Sequence, residues 1–140
     1  HNIHKTKKMF SKQSVTTTEL VRQNITTDAL VKRHLYFARE YPSHVPTLVQ
    51  FNGDSMIHRY VLPRDSTFGH FMIAFRRKIQ INASEAIIPL IEKEVFDKDN
   101  KQVVTSFQII SSKTIDDIAR DFIHRDGYLY VNVTLQNTFG

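Results

Sequence analysis

The sequence of 140 residues contains no cysteine and no tryptophan, and it has only four glycines. Without cysteine the chain can form no disulfide, and it offers no thiol nucleophile or cysteine-ligated zinc site. A glycine-rich phosphate loop and the Gly-x-Ser-x-Gly motif of hydrolases are both missing. Seven histidines are scattered without a His-Glu-x-x-His pattern. We therefore expect a protein that is not an enzyme and that holds neither a metal nor a cofactor.

Long apolar runs are scarce as well. No stretch approaches the ~18 residues that a membrane-spanning helix needs, and the first residues lack the apolar middle region of a secretory signal. The hydrophobic fraction of 41%, with ten phenylalanines, is enough to fill one core. The sequence therefore predicts one compact cytoplasmic domain.

The net charge of +5 is unevenly placed. Lys5, Lys7, Lys8 and Lys12 precede the first acid of the chain, and a second basic group follows at 76–78. This balance favours acidic partners such as lipid head groups, nucleic acid, tubulin-like tails or acidic peptides. The alternative is a solvated arm and a solvated helix face. Among these partners we do not expect nucleic acid.

The apolar pattern predicts a chain of mixed helices and strands. Helices are predicted at 19–24 and after Thr27, Thr67 and Thr114, and strands at 45–51, 56–62, 87–91 and 128–135, with an added hairpin within 96–112. Asn52-Gly53 supplies the positive φ angles of a tight turn between the first two strands. Strands that do not alternate regularly with helices indicate an α+β domain, with helices on one face of a mixed sheet. A helix across a sheet that starts with a hairpin is the β-grasp layout.

Short motifs spread over residues 20–140 resemble one family in the same order and spacing. They are Tyr41-Pro42 with Val45-Pro46, Tyr60-Val61-Leu62-Pro63, Thr67-Phe68-Gly69-His70-Phe71, Arg76-Arg77-Lys78-Ile79 with Ile81, Asp126-Gly127-Tyr128-Leu129-Tyr130-Val131, and the final Phe139-Gly140. Together they resemble the ubiquitin-like autophagy modifiers of the GABARAP and microtubule-associated light-chain type. The longer insert at 96–112 and the long basic arm indicate a divergent member.

The resemblance implies a ubiquitin-like β-grasp fold with two extra N-terminal helices packed on the mixed sheet. The polar, basic residues 1–17 are predicted to form a mobile arm. The resemblance places a ubiquitin-like domain at 18–135 and a conjugation tail at 136–140. In the family the terminal glycine, here Gly140 after Phe139, is activated and passed as a thioester between activating and conjugating enzymes. The glycine is then joined to phosphatidylethanolamine. A cysteine protease processes the protein and also releases it from the lipid. Conjugation would bring the protein from the cytoplasm to autophagosomes or a related organelle.

The resemblance also implies a peptide-binding face. Receptor peptides with an aromatic-x-x-aliphatic motif add as a strand to the edge formed by 56–62. The first pocket is predicted to consist of Phe37, Pro46, Arg59, Val61 and Tyr128. The second pocket is predicted to consist of Tyr60, Leu62, Pro63, Ser66, Phe71, Ala74 and Lys78. Ser66 and Ala74 replace larger aliphatic residues, so the second pocket should be wider and more polar.

Simpler interpretations stay open for these residues. Phe37, Leu62 and Phe71 suit a hydrophobic core equally well, and Arg59 suits a solvated strand. Two other functions are also open: a peptide- or tubulin-binding module that is not conjugated, and a ubiquitin-like modifier joined to a protein lysine. That last class usually has tryptophan before its terminal glycine, whereas Phe139 stands here.

Overall fold

The computed structural model describes residues 15–136. The four lysines of the arm, Phe139 and Gly140 lie outside this part of the chain. The helices are α1 (Thr17–Asn24), α2 (Thr27–Glu40), α3 (Phe68–Lys78) and α4 (Ile115–Phe122). The strands are β1 (His44–Phe51), β2 (Ile57–Pro63), β3 (Ile87–Phe96), β4 (Gln102–Gln108) and β5 (Leu129–Leu135).

Each of these helices begins after a threonine whose side chain accepts a hydrogen bond from a backbone N–H of the first turn. The four capping residues are Thr16, Thr26, Thr67 and Thr114. The predicted caps of α3 and α4 are confirmed. The predicted starts of α1 and α2 are wrong by one or two residues, because consecutive threonines at each start offer several possible caps.

The five strands form one mixed sheet in the order β2-β1-β5-β3-β4. The central pair, β1 and β5, is parallel, and the other neighbours are antiparallel. Asn52 and Gly53 have φ angles of 50° and 73°, as the predicted turn between β1 and β2 requires. The ubiquitin-like β-grasp with two additional N-terminal helices is confirmed.

The insert at 96–112 contains β4, which forms a hairpin with an extended β3. Strand β3 runs on to Phe96, five residues beyond the end expected at Ile91. Its pairing with β4 extends from Leu90 opposite Gln108 to Phe96 opposite Gln102. The predicted strand ended too early because Glu92, Lys93 and Glu94 interrupt the apolar pattern that marks a buried strand.

Helices cover both faces of the sheet, so the expectation of helices on one face was wrong. Strand β1 shows this directly: Val45 and Val49 pack into a core with α3 and α4, whereas Leu48 packs into a second core with α1 and α2. Alternate residues of a strand point to opposite faces. The two central strands are therefore buried on both sides, as strands of a parallel pair usually are.

A buried carboxylate fastens α1 to the sheet. The side chain of Glu92 is 0% exposed and accepts hydrogen bonds from the backbone N–H groups of Thr17 and Thr18 at 2.9 and 2.8 Å. It also accepts one from the Thr18 hydroxyl at 2.6 Å. A negative charge at a helix N-terminus satisfies donors that have no partner within the helix. Thr17, expected in the arm, is therefore a buried first residue of α1.

Candidate functional site

Strand β2 lies at an edge of the sheet, as predicted for the peptide-binding strand. It pairs with β1 over seven residue pairs, from His44 opposite Pro63 to Gln50 opposite Ile57. No other strand of residues 15–136 pairs with its outer side. The outward N–H and C=O groups of an edge strand can bind an extended peptide.

A cavity of about 510 Å³ opens between α2 and this edge, and we call it the α2–β2 cavity. The residues that line it are Ile25, Leu30, Lys32, Arg33, Tyr36, Phe37, Pro46, Thr47, Leu48, Arg59, Tyr60, Val61 and Tyr128. All five residues predicted for the first pocket are among them. Most of the lining is aliphatic or aromatic, which suits an apolar side chain in a cavity of ordinary ligand-binding size.

Positive charge surrounds the α2–β2 cavity. Lys32 and Arg33 are exposed on α2, and Arg59 is exposed on β2. Burial raises the pKa of the Tyr128 phenol, while Arg33 and Arg59 act in the opposite direction. The phenol therefore stays neutral at physiological pH and can donate a hydrogen bond. The cavity combines an apolar interior with a cationic rim, which favours an acidic ligand with an apolar anchor.

Helix α2 supplies several lining residues that the sequence interpretation missed. Lys32 and Tyr36 are four residues apart, as are Arg33 and Phe37, so these two pairs lie along one side of the helix. Leu30 on the same helix is 1% exposed and forms the inner wall of the cavity. The helical spacing around Phe37 was the signal that could have identified Lys32 and Tyr36.

The residues predicted for the second pocket lie around the contact between β2 and α3. The Tyr60 and Phe71 rings meet edge to face at 5.2 Å, and the Lys78 ammonium lies 5.1 Å from the Tyr60 ring centre. Leu62 and Phe71 belong to the core, at 8% and 3% exposure.

The other predicted members lie nearer the surface. The Ser66 hydroxyl donates a hydrogen bond to the Pro63 carbonyl at 2.7 Å, and Ala74 is exposed on α3. The structure thus brings Tyr60, Phe71 and Lys78 together, and the second pocket itself stays a prediction.

A five-stranded mixed sheet of this order, with a helix pair on each face, places the chain among ubiquitin-like proteins. The family model described as "Autophagy protein Atg8 ubiquitin like" matches residues 30–140. The chain therefore belongs to the Atg8 family. It is a divergent member, because its identity to the relatives described below is low.

Three curated relatives illustrate this distance. The chain is 20% identical to Autophagy-related protein 8h of Arabidopsis thaliana, over 85% of this chain and 93% of that protein. It is 28% identical to Autophagy-related protein 8e of the same plant, over 72% of this chain and 76% of that protein. It is 26% identical to Autophagy-related protein 8 of Kluyveromyces lactis, over 73% of this chain and 76% of that protein.

A solved structure shows the same fold. The crystal structure of Trypanosoma brucei ATG8 superposes with a TM-score of 0.62 at 20% sequence identity, and the match covers 84% of this chain and 95% of that one. Membership of this family makes the chain a ubiquitin-like autophagy protein. None of the helices in residues 15–136 has both the length and the hydrophobicity to cross a membrane.

Proposed function

We propose that the chain is a ubiquitin-like modifier of autophagy, joined through Gly140 to phosphatidylethanolamine, that recruits receptor peptides by strand addition to β2. The observation that supports this most strongly is the open edge of β2 beside the α2–β2 cavity. An edge strand alone binds any extended chain. An apolar cavity with a cationic rim next to that edge adds selectivity for a particular side chain and charge.

In this proposal the peptide backbone pairs with β2 and the aromatic side chain of its motif enters the α2–β2 cavity. Acidic residues that flank the motif meet Lys32, Arg33 and Arg59. The aliphatic residue three positions later contacts the region of Tyr60 and Lys78 near α3. Alternate residues of an extended peptide face the same side, so backbone pairing fixes which side chains reach the protein.

The conjugation chemistry uses the carboxyl group of Gly140. An activating enzyme forms a mixed anhydride with AMP from ATP and releases pyrophosphate. A cysteine thiolate of that enzyme displaces AMP, and the resulting thioester is exchanged onto the conjugating enzyme. The amine of phosphatidylethanolamine then displaces the thiolate and forms an amide. The thiols belong to the enzymes, so a chain without cysteine can take part.

The test is conjugation in a reconstituted system. The chain ending at Gly140 is incubated with autophagy activating and conjugating enzymes, ATP and liposomes that contain phosphatidylethanolamine. We expect a product with the added mass of the lipid, and none when phosphatidylethanolamine is replaced by phosphatidylcholine. The variant Gly140→Ala should form much less product, because a side chain at the acceptor carbonyl hinders attack in a narrow active site.

The remaining outcomes distinguish the alternatives. An adduct on a protein lysine instead of the lipid would identify a modifier of proteins. No adduct of either kind, together with unimpaired peptide binding, would identify a binding module that is not conjugated. Either result would contradict the proposed attachment.

A further inference from the structure

Strand β4 forms the second edge of the sheet, at the end opposite β2. It pairs with β3, and no other strand of the described residues lies on its outer side. Val103, Thr105 and Phe107 are exposed on one face of β4. This edge comes from the insert and takes no part in the proposed peptide site.

The two edges differ in their protection against other strands. Strand β2 carries Arg59 and Pro63. A charge or a proline on an edge disfavours pairing with a second identical edge, whereas an acidic peptide complements Arg59. Strand β4 has the sequence Gln-Val-Val-Thr-Ser-Phe-Gln and contains neither a charge nor a proline. Short uncharged segments rich in β-branched and aromatic residues pair readily with strands of another chain.

The outward backbone groups of β4 follow from its hairpin. The N–H of Asp97 donates to the carbonyl of Lys101 at 2.9 Å, so this pair is hydrogen-bonded across the hairpin. Hydrogen-bonded and non-hydrogen-bonded pairs alternate in an antiparallel ladder. Thr105 therefore directs its backbone groups to β3, whereas Val104 and Ser106 direct theirs outward.

This pattern is self-complementary in one antiparallel register. Full pairing of the seven residues of β4 with the same strand of another molecule places Thr105 opposite itself on a two-fold axis. Val104 then forms hydrogen bonds with Ser106 of the second copy. Val103 stands opposite Phe107, so two apolar pairs form on one face. No charged residue of β4 faces a like charge across the axis.

Apolar surface continues beside this edge. The Phe107 ring contacts Phe122 of α4, with 5.6 Å between ring centres. A cavity of about 410 Å³ next to them is also lined by Ile109 and Ile110, and Ile110 is 74% exposed. In the register about Thr105, Val103 of a second molecule would lie beside Phe107 and shield part of this apolar surface from water.

We infer that the occupant of the β4 edge is a second copy of this chain, joined by antiparallel β4–β4 pairing about Thr105 into one continuous sheet. One strand pair with a small apolar margin is at the lower end of specific interfaces, so the dimer should be weak, with a dissociation constant of about micromolar order or higher. The β2 edge and the α2–β2 cavity stay open in this dimer. A pair of molecules would present two peptide sites, which increases avidity for receptors with repeated motifs.

Disulfide trapping tests the register directly, because the native chain has no cysteine. In the register about Thr105, the variant Thr105→Cys brings two thiols together at a non-hydrogen-bonded pair, within the range that a disulfide can bridge. Val103→Cys is the matched control, since Val103 faces Phe107 of the second copy. We expect Thr105→Cys to form a covalent dimer in mild oxidant at least tenfold faster than Val103→Cys. Equal rates, or no dimer from either variant, would overturn the inference.

Sedimentation velocity tests the same pairing without a covalent bond. The native chain should shift toward a dimer as its concentration rises, whereas Thr105→Lys and Thr105→Glu alone should stay monomeric. A mixture of these two variants should regain the dimer, because opposite charges then meet on the axis. The regained dimer also shows that both variants are folded. The pairing would be refuted if the native chain stayed monomeric up to millimolar concentration, or if the mixture stayed monomeric. Both results are also expected if β4 binds a different partner instead of a second copy.

Discussion

Gly127 is held by two constraints that act on a single residue. Its φ angle is +90°, and a Cβ atom built there would lie 2.2 Å from the His34 ring on α2. Positive φ disfavours any side chain, and the close approach of α2 leaves no space for one. The turn before β5 therefore sets how closely α2, with its cavity-lining residues, approaches the sheet.

Replacement of Gly127 by alanine should be strongly destabilising. We expect Gly127→Ala to lower the free energy of unfolding by about 2 kcal/mol or more, because steric strain and displacement of His34 add to the cost of positive φ. Gly53→Ala is the control, since Gly53 also has positive φ in the β1–β2 turn. It should cost about 1 kcal/mol. Urea denaturation of the two variants measures both values, and equal losses would contradict the crowding at Gly127.

His124 is a buried, neutral histidine between α1 and the sheet. It is 2% exposed, and its Nε2 lies 2.7 Å from the carbonyl oxygen of Glu92, so Nε2 carries the proton and donates. Its Nδ1 lies 3.4 Å from the Arg22 guanidinium and accepts. Burial lowers the pKa of His124, although the Glu92 carbonyl, Glu94 and Asp126 act against this shift.

The lowered pKa of His124 predicts a loss of stability in mild acid. Below the ordinary histidine pKa of about 6.5 the unfolded chain binds a proton that the folded chain does not, so the free energy of unfolding falls as pH falls. Burial opposes the ionisation of Glu94, but the Arg125 N–H and Arg22 outweigh it and lower its pKa. The contribution of Glu94 is therefore lost only in stronger acid, below about pH 4.3.

The variant His124→Gln separates the pH dependence of stability that His124 causes from the one that Glu94 causes. Glutamine can still donate to the Glu92 carbonyl but does not titrate. We expect a less stable protein whose stability changes less than that of the native chain between about pH 7 and 5. Urea denaturation across this range measures the difference. An unchanged slope would show that His124 does not cause the acid sensitivity.

At the scale of elements, α1 is held by contacts made far along the chain. Glu92 binds both first N–H groups of the helix, and Arg22 forms an ion pair with Glu94 at 2.9 Å. An isolated helix of eight residues would be unstable in water. These contacts with β3 therefore provide much of the stability of α1.

Removal of the Glu92 carboxylate should release α1 while the sheet stays folded. In Glu92→Ala the N–H groups of Thr17 and Thr18 lose their acceptor, which costs about 1–3 kcal/mol for each buried group. We expect amide hydrogen exchange in α1 to become at least roughly 30-fold faster, with exchange in β1 and β5 little changed. The exposed Glu85→Ala variant is the control. Uniform acceleration in all elements would show global instead of local opening.

The cationic rim of the α2–β2 cavity also belongs to the scale of elements, because it depends on the face that α2 presents. Arg33 lines the cavity, whereas Arg39 on the same helix pairs with Glu40 outside it. We expect Arg33→Glu to weaken binding of an acidic aromatic-x-x-aliphatic peptide roughly five- to tenfold, mainly through slower association. Arg39→Glu makes the same charge change and should change the free energy of peptide binding by less than half as much. Isothermal calorimetry at two salt concentrations measures the binding of both variants. Equal effects would show that the net charge of the protein matters and the position of Arg33 does not.

Much of the fold could be predicted because its signals are local. Thr67 and Thr114 mark helix starts through their own hydroxyl groups, and Asn52-Gly53 marks a hairpin through its backbone preferences. The length of β3 and the burial of Glu92 could not be predicted, since the partner of that carboxylate lies 75 residues away. The covering of both sheet faces was missed for a similar reason: the amphipathic pattern of α1 and α2 does not indicate which face they pack against.

The candidate site likewise has features that could be predicted from the sequence and features that could not. The five predicted residues of the first pocket meet in one cavity because the family resemblance carries long-range information that spacing alone lacks. Lys32 and Tyr36 were missed, although their helical spacing was visible. Whether the second pocket forms depends on how closely α3 approaches β2, which no pattern in either segment specifies.

For the whole molecule, we propose three separate tasks. These are peptide binding at the β2 edge, self-association at the opposite β4 edge, and attachment to lipid through the tail. These tasks are compatible because the two edges lie at opposite ends of the strand order. We therefore expect a β4 variant such as Thr105→Lys to lose self-association while its affinity for a single-motif peptide stays within about twofold, measured by fluorescence anisotropy. A larger loss of affinity would show that the two edges are coupled.

Peptide binding at β2 is tested most directly by a crystal structure of this chain with a peptide that carries acidic residues before an aromatic-x-x-aliphatic motif. We expect the peptide to continue the sheet along Ile57–Pro63, with its aromatic ring in the α2–β2 cavity and its acids near Arg33 and Arg59. A peptide bound elsewhere, with the β2 edge unoccupied, would contradict it.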